Sequence, residues 1–374
     1  MWIKLFRILD TYIVGFFVLL LFPLKYLSSG HKNKLQDPKK ILVIRLWALG
    51  SSLLSFPMIK QLRDHYGDNV EYDLLATSRN IGVFKNQGYF DHAYNLFSCT
   101  WLLSVLSAFR RYDVVIDVEE YFKISTFLAL WLGKKTIWFG NLWNRRVGYT
   151  NPVIYNDCQH TILTFLDLLW PLGIKVYAPE SMEPLIYREK DTIKVQNFLD
   201  QFSAYRILCM HTWGAETAKE RARPTYKWVA LIKQLLVTYK NIIIVLSGTS
   251  FEQEIVQEIL DQLYDDEKSR VVNICWMFNL FEFACLLKKC VLMVSNDTGP
   301  MHLAAAMWTK TIGLFGPELP RKFGPWPLGK NIWLYKWKWE AFIKVHLAQW
   351  KKDKEYTIDK ISVDDVLKEI NLLK

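Results

Sequence analysis

The chain has 374 residues, a formal net charge of +10, and 51% hydrophobic residues including 16 Trp, 18 Tyr and 22 Phe. That length exceeds a usual single domain and predicts two cores, and the apolar, aromatic composition excludes an intrinsically disordered chain. The positive charge asks for a polyanionic partner, whether a nucleic acid, an anionic lipid surface or a phosphorylated substrate.

The first distinctive segment is Tyr12 to Leu24 (YIVGFFVLLLFPL), charge-free and apolar, extended upstream by Leu5, Phe6, Ile8 and Leu9 but interrupted by Asp10. A helix that crosses a bilayer needs about 20 predominantly apolar residues, and shorter runs more often lie in the interface. Pro23, Lys25 and Tyr26 supply no small-residue cleavage site, which argues against a removed signal peptide. Residues 1–30 are therefore expected to form a retained membrane-associating helix, with packing on the protein's own surface as the alternative. Lys4 and Arg7 precede the run and Lys25, Lys32, Lys34, Lys39 and Lys40 follow it, so the positive-inside rule favours a cytoplasmic body.

After a polar linker at 31–40, Ile41 to Leu46 (ILVIRL) reads as a buried strand, followed by a tight turn at Ala48 to Ser52 and an amphipathic helix to about Tyr66. Strand, turn and helix in that order open a Rossmann-like unit. Further strands are expected at Val70 to Ala76, Ala93 to Phe97, Val114 to Val118 and Thr136 to Gly140, with helices at about Trp101 to Arg111 and Phe122 to Leu132. A second series starts with strand Ile207 to His211. Helix Thr225 to Tyr239, strand Ile242 to Gly248, helix Phe251 to Leu263 and strand Val271 to Cys275 follow it. Helix Leu280 to Lys288, strand Val291 to Ser295, helix Pro300 to Met307 and strand Thr311 to Gly316 then complete the pattern. Such alternation predicts an α/β fold with two mostly parallel sheets. The join falls in Tyr177 to Arg188, where Pro179 and Pro184 break periodicity, giving one Rossmann-like domain at 41–180 and another at 181–335. A helical segment at 336–374 ends in Val363 to Leu373, with Ser362 as N-cap.

Six cysteines (Cys99, Cys158, Cys209, Cys275, Cys285 and Cys290) contain no CxxC pair and lie mostly in apolar segments, as buried free thiols in a reducing compartment would. No HExxH, EF-hand or Walker pattern is present, so no metal site is expected. The strongest local signal is Ser295 to Ala306 (SNDTGPMHLAAA), a buried strand ending in a polar turn that starts a small-residue helix. Ligands of open α/β sheets sit at the carboxyl ends of strands, and a helix N-terminus offers free N–H groups to an anion. A diphosphate fits there, with Thr298 and Gly299 approaching its oxygens, Pro300 in the first turn and His302 as a further donor. Asp297 suits sugar hydroxyls, or serves only as an N-cap.

SNDTGPMHLAAA followed by GLFGPELPRKFGPW (Gly313 to Trp326) closely resembles the C-terminal signature of glycosyltransferase family 9, the ADP-heptose:lipopolysaccharide heptosyltransferases and their relatives. Ile41 to Arg63 resembles that family's first strand, loop and helix, and RARPTYKW (Arg221 to Trp228) its basic, proline and tryptophan element. RRVGY (Arg145 to Tyr149) and His160 fall where the family places similar residues. The resemblance implies a GT-B architecture, two Rossmann-like domains facing a cleft, with the C-terminal helix returning to the first domain. It also implies inverting, metal-independent transfer of a sugar, with heptose the candidate, from a nucleoside-diphosphate sugar, ADP-linked in preference, to a lipopolysaccharide core or related glycolipid. No cofactor is implied; the nucleotide sugar is the substrate.

Carried over by residue, the donor lies near Asp297, Thr298, Gly299 and His302, with Arg221 neutralising the diphosphate and Arg223 as its alternate. Glu282 would reach the ribose, or be only a helix-start acid. Arg145, Arg146 and His160 would meet the acceptor. One departure is Ser51, where the well-known members carry an aspartate base; a serine does not take a proton unaided near neutral pH. VVIDVEEYFKIS (Val114 to Ser125) resembles an acidic, aromatic variant of relatives with Gly-Ser in the first loop, which favours Glu119 as the base and Asp117 next. The alternative is a nucleotide-sugar-binding pseudoenzyme at the membrane. A nucleic-acid partner is disfavoured, because no basic helix or aromatic RNA-binding signature is present. The anchor, the charge and a phosphorylated glycolipid acceptor together place the protein at the cytoplasmic face of a bacterial inner membrane, against an anionic surface.

Overall fold

The computed structural model describes residues 37–98, 105, 108–120, 123–139, 149–214, 221–316, 318–336 and 358–371, together with positions 10, 18, 21 and 23. It divides into two compact units, Met1–Pro179 and Glu180–Lys374.

The first unit is built on six parallel strands: β1 (Lys40–Ile44), β2 (Glu71–Ala76), β3 (His92–Asn95), β4 (Tyr112–Asp117), β5 (Gly133–Phe139) and β6 (Asn151–Val153). Their order is β3-β2-β1-β4-β5-β6, with Ile44 opposite Leu75 on one side and Asp117 on the other. Ile41 to Ile44 are all fully buried, as expected of an unbroken β-branched and leucine run with helices on both faces. Helices α1 (Leu49–Leu54), α2 (Phe56–Tyr66), α3 (Lys123–Leu132) and α4 (Thr161–Asp167) cover the sheet. The expected helix at 101–111 falls largely outside the described residues.

The second unit repeats the plan. Its strands are β7 (Arg206–His211), β8 (Ile242–Ser247), β9 (Val271–Asn273), β10 (Leu292–Asn296), β11 (Thr311–Leu314) and β12 (Ile332–Leu334), in the order β12-β11-β10-β7-β8-β9, again all parallel. Its helices are α5 (Glu189–Asp200), α6 (Thr225–Thr238), α7 (Gln253–Asp261), α8 (Leu280–Lys289), α9 (Gly299–Ala306) and α10 (Val363–Asn371). Ser362 caps α10 as the sequence suggests: its hydroxyl accepts from the Asp365 N–H at 3.0 Å, and Asp365 accepts from the Ser362 N–H at 2.8 Å.

Helix α10 packs within the second unit. Val366 and Ile370, with Ile358 and Ile361 just before the helix, are buried in the same cluster as Trp228, Leu231 and Leu235 of α6. The apolar stripe of α10 is thus buried in the second unit's own core.

At the other end of the chain, most of residues 1–30 lie outside the described residues. No helix among the described residues is long and apolar enough to cross a membrane. Asp10 and Val18 are buried.

Candidate functional site

In each sheet the strand order reverses between two neighbours, β1 and β4 in the first unit and β7 and β10 in the second, and such switch points open a crevice beyond the carboxyl ends of the strands. Ser51, Asp117 and Glu119 lie at the first of these places, and Asp297, Thr298 and Gly299, with Arg221 beside them, at the second.

In the first unit the chain leaves β1 through Arg45 to Ala48 and enters α1, while β4 ends in Asp117 and continues to Glu119 and Glu120. Glu119 is buried and ties the two loops together: its Oε1 accepts from the N–H groups of Leu46 at 2.6 Å and Trp47 at 3.1 Å, with the Arg45 guanidinium at 3.5 Å. Arg45 also donates to the Val118 carbonyl at 2.7 Å. Burial pushes the Glu119 carboxyl above its ordinary value against the opposing pull of Arg45, with Asp117 adding to the rise. Asp117 accepts from the Glu119 N–H at 2.9 Å and from the Tyr149 hydroxyl at 2.5 Å. Tyr149 stacks on Trp138, whose indole donates to the Glu119 carbonyl.

Ser51 is half-buried in the first turn of α1. That helix starts from Ala48 at φ 65°, ψ 134°, a backbone conformation that disfavours a Cβ. The loop is held there by Glu119, by the Thr77 hydroxyl donating to the Leu46 carbonyl at 2.8 Å and by Asn80 donating to the Arg45 carbonyl at 2.8 Å. Ala48→Gly relieves this strain at the cost of unfolded-state entropy, and a net gain of about 1 kcal/mol is expected as a higher midpoint in thermal denaturation. An unchanged or lowered midpoint would show that the loop is not strained.

His160 is buried at the N-cap of α4, where its Nδ1 accepts from the Ile162 N–H at 3.3 Å. Arg145 and Arg146 lie outside the described residues.

In the second unit, β10 runs into α9 through Asp297 and Thr298. The N-cap is Thr298, so Asp297 is not the cap. The Thr298 hydroxyl turns back to the Asn296 carbonyl and to Ser295, each at 3.2 Å, and makes no hydrogen bond to the helix. The first turn of α9 is therefore not closed by its own side chain, and its positive end faces the crevice. Asp297 is buried with its Oδ2 3.3 Å from Arg221, whose other amino group lies 2.8 Å from Glu318. Burial raises Asp297 to about 6, Arg221 pulling against that rise and Glu318 adding to it. One guanidinium between two carboxylates is a cation poised to exchange a carboxylate for a phosphate. His302 is buried one turn into α9.

Two further residues expected at the donor make contacts of another kind in this structure. Arg223 points to the C-terminal segment, donating to the Ile361 carbonyl at 2.9 Å beside the Trp228 ring, and burial lowers it to about 10. Glu282 closes the capping box of α8, accepting from the Asn279 N–H at 2.8 Å with Lys194 at 3.7 Å, which is the helix-start role.

Sequence reasoning missed Glu318 and a buried group at the ends of β7 and β8. His211 Nδ1 donates to the Ser247 carbonyl at 3.1 Å, and its Nε2 faces Glu252 Oε1 at 3.7 Å. Burial holds His211 below its ordinary value and pushes the neighbouring Cys275 thiol up to about 12. The available signal was positional, since His211 ends β7, which borders the switch point, and Glu252 follows the neighbouring β8. A third cluster, Glu71, Asp73 and His92, gathers at the opposite, amino-terminal edge of the first sheet. Lys40 ion-pairs there with Glu71 and, at 3.1 Å, with Asp73, so the charges are compensated within the chain.

The chain is 27% identical over 220 residues to lipopolysaccharide heptosyltransferase 2 of Escherichia coli, a match covering 56% of this chain and 62% of that protein, less than two thirds of its length. It is 32% identical over 284 residues to lipooligosaccharide heptosyltransferase 2 of Campylobacter jejuni, covering 74% and 81% of the two chains. Among solved structures, the ADP-heptose LPS heptosyltransferase II of E. coli superposes with a TM-score of 0.69 at 20% identity, covering 89% of this chain and 98% of that one, a likeness of fold. The model of glycosyltransferase family 9 (heptosyltransferase) matches residues 107–346. With a signature that spans more than half of the chain and two parallel Rossmann-like units of the GT-B kind, the protein belongs to glycosyltransferase family 9.

Proposed function

We propose that this protein transfers a heptose from an ADP-linked donor to a lipopolysaccharide core or related glycolipid, by a single inverting displacement without a metal. The observation that carries the reading is the arrangement of Arg221 and Asp297 beside the uncapped N-terminus of α9. Helix dipole, unclosed first turn and guanidinium all favour a diphosphate at that point. The names of the relatives, heptosyltransferases throughout, support the sugar and give no support to the pseudoenzyme alternative.

In the proposed step an acceptor hydroxyl attacks the anomeric carbon as the bond to the diphosphate oxygen breaks. Charge builds on that oxygen, and Arg221 stabilises it, which is the task a metal would otherwise perform. The hydroxyl proton passes to Glu119, whose raised affinity for protons makes it a stronger base than an ordinary carboxylate. Its Oε1 is engaged by the loop and its Oε2 makes no hydrogen bond to the described residues. Asp117, itself held by Tyr149, and Trp138 hold the backbone of Glu119, and Ser51, in the first turn of α1, orients the acceptor. His160 acts through α4, as its cap, while Arg145 and Arg146 are assigned to the acceptor phosphate. The setting is the cytoplasmic face of a bacterial inner membrane, where the basic charge meets anionic lipid.

Calorimetric titration of the full chain with ADP, UDP, GDP and CMP tests the donor half. ADP is expected to bind most tightly, and Arg221→Ala to weaken it. Equal binding of all four, or none, would contradict the donor assignment.

A further inference from the structure

Ile358 to Ile361 and α10 pack across the start of α6, where Ile358, Ile361 and Val366 share a buried cluster with Trp228, Leu231 and Leu235. At the edge of that cluster several side chains of α6 and its approach converge on two residues. Arg223 donates to the Ile361 carbonyl at 2.9 Å, and Lys227 reaches the same carbonyl at 3.3 Å. Lys227 also pairs at 2.8 Å with the Asp359 carboxylate, which accepts from the Tyr226 hydroxyl at 3.1 Å. Arg223 is the unusual member of this set. It is 3% exposed, and its Nε and Nη2 find no hydrogen-bond partner among the described residues. A guanidinium kept out of water with donors unpaired costs stability, and an apolar side chain of similar volume would serve packing at least as well. Two positions before it stands Arg221, which faces Asp297 and Glu318. Ala222, Arg223 and Pro224, which lead from Arg221 into α6, belong to neither strand nor helix, and Pro224 has no N–H to tie them down. Two residues span at most about 7 Å, so a shift of Arg223 is carried to Arg221.

We propose that residues 358–361 and α10 form a clasp on the start of α6, and that Arg223, held by the Ile361 carbonyl, is a positioning residue for Arg221. The strength with which the donor site holds a diphosphate is then set in part by a segment remote in sequence from the donor turn. The inference rests on the donor role proposed for Arg221; the contacts of the clasp itself do not.

Calorimetric titration of the full chain with ADP reads the clasp without turnover. Arg223→Met keeps an apolar stem and loses the donors, so it should weaken ADP binding by about tenfold without lowering the midpoint of thermal denaturation. Arg223→Lys, which keeps a donor for the carbonyl, should recover most of the affinity. In an Arg221→Ala background Arg223→Met should have no further effect, because its influence passes through Arg221. Wild-type affinity in Arg223→Met overturns the proposal. An equal further loss in the Arg221→Ala background overturns it too, since Arg223 would then act on the fold at large. Arg221→Ala that binds ADP as tightly as the wild type is a different failure, that of the donor reading, and takes the inference with it. Should Arg223→Met not fold, Asp359→Asn loosens the clasp from its exposed side. A loss of ADP affinity of about two- to threefold that vanishes in the Arg221→Ala background supports the clasp, and no loss overturns it.

Discussion

Arg221→Ala is expected to lower kcat by about 10²–10³, the usual cost of removing one preorganised group that faces developing negative charge. The argument rests on the competition around the guanidinium, which lies 3.3 Å from Asp297 and 2.8 Å from Glu318 in the unliganded protein. A diphosphate carries more charge than either carboxylate and takes the same donors, so Arg221 is paid for in the ground state by groups it leaves on binding. A pH dependence follows. Asp297 holds its proton more tightly when folded, up to about 6 against an ordinary 3.8, so its contribution to folding stability is present below about pH 4 and is lost as the pH rises through about 6. In the same window protonation removes one of the carboxylates that compete for Arg221. ADP affinity should therefore rise as the pH falls through about 6, beyond the change shown by Asp297→Asn, where only the ligand's own phosphate still titrates. Parallel pH profiles for the two proteins, measured by calorimetry, would show that Asp297 does not govern the site.

Glu119 carries the second large effect, and two substitutions separate its two tasks. Glu119→Ala removes the acceptor of the Leu46 and Trp47 N–H groups and leaves Arg45 buried without its carboxylate. Breaking a buried pair in this way costs about 3–5 kcal/mol, visible as a lower denaturation midpoint. Glu119→Gln keeps an oxygen for the loop but takes no proton, so turnover should fall by about 10²–10⁴ with a smaller loss of stability. In the wild type the rate should also fall on the acid side, at a pH above the ordinary carboxylate range because burial raises this group. A glutamine variant that folds and turns over normally would return Glu119 to a purely structural role.

Much of the fold was legible because its sheets are parallel and buried. Ile41 to Ile44 and Ile242 to Ser247 are runs that water never touches, and their apolar character survives in sequence as a continuous signal. The edge strands β6 and β12 were not legible, since three residues carry no periodicity and Pro152 lies inside one of them. The donor turn could be read because its chemistry is local: strand, Asp-Thr-Gly and helix are contiguous. What sequence could not show is which of two nearby arginines turns to that turn. Arg221 and Arg223 differ by two positions, and only packing sends Arg223 to the Ile361 carbonyl. Glu282 was ambiguous for a related reason, because an acid at the third helical position serves equally well as a cap. Glu318 and Glu252 join their sites through tertiary contacts with Arg221 and His211, which no spacing encodes.

The central claim is the transfer itself. Incubating the full chain with ADP-heptose and a core-truncated lipopolysaccharide, and reading the lipid by mass spectrometry, should show the gain of one heptose with stoichiometric release of ADP. Tight ADP-heptose binding with no heptose on any truncated acceptor would contradict the account.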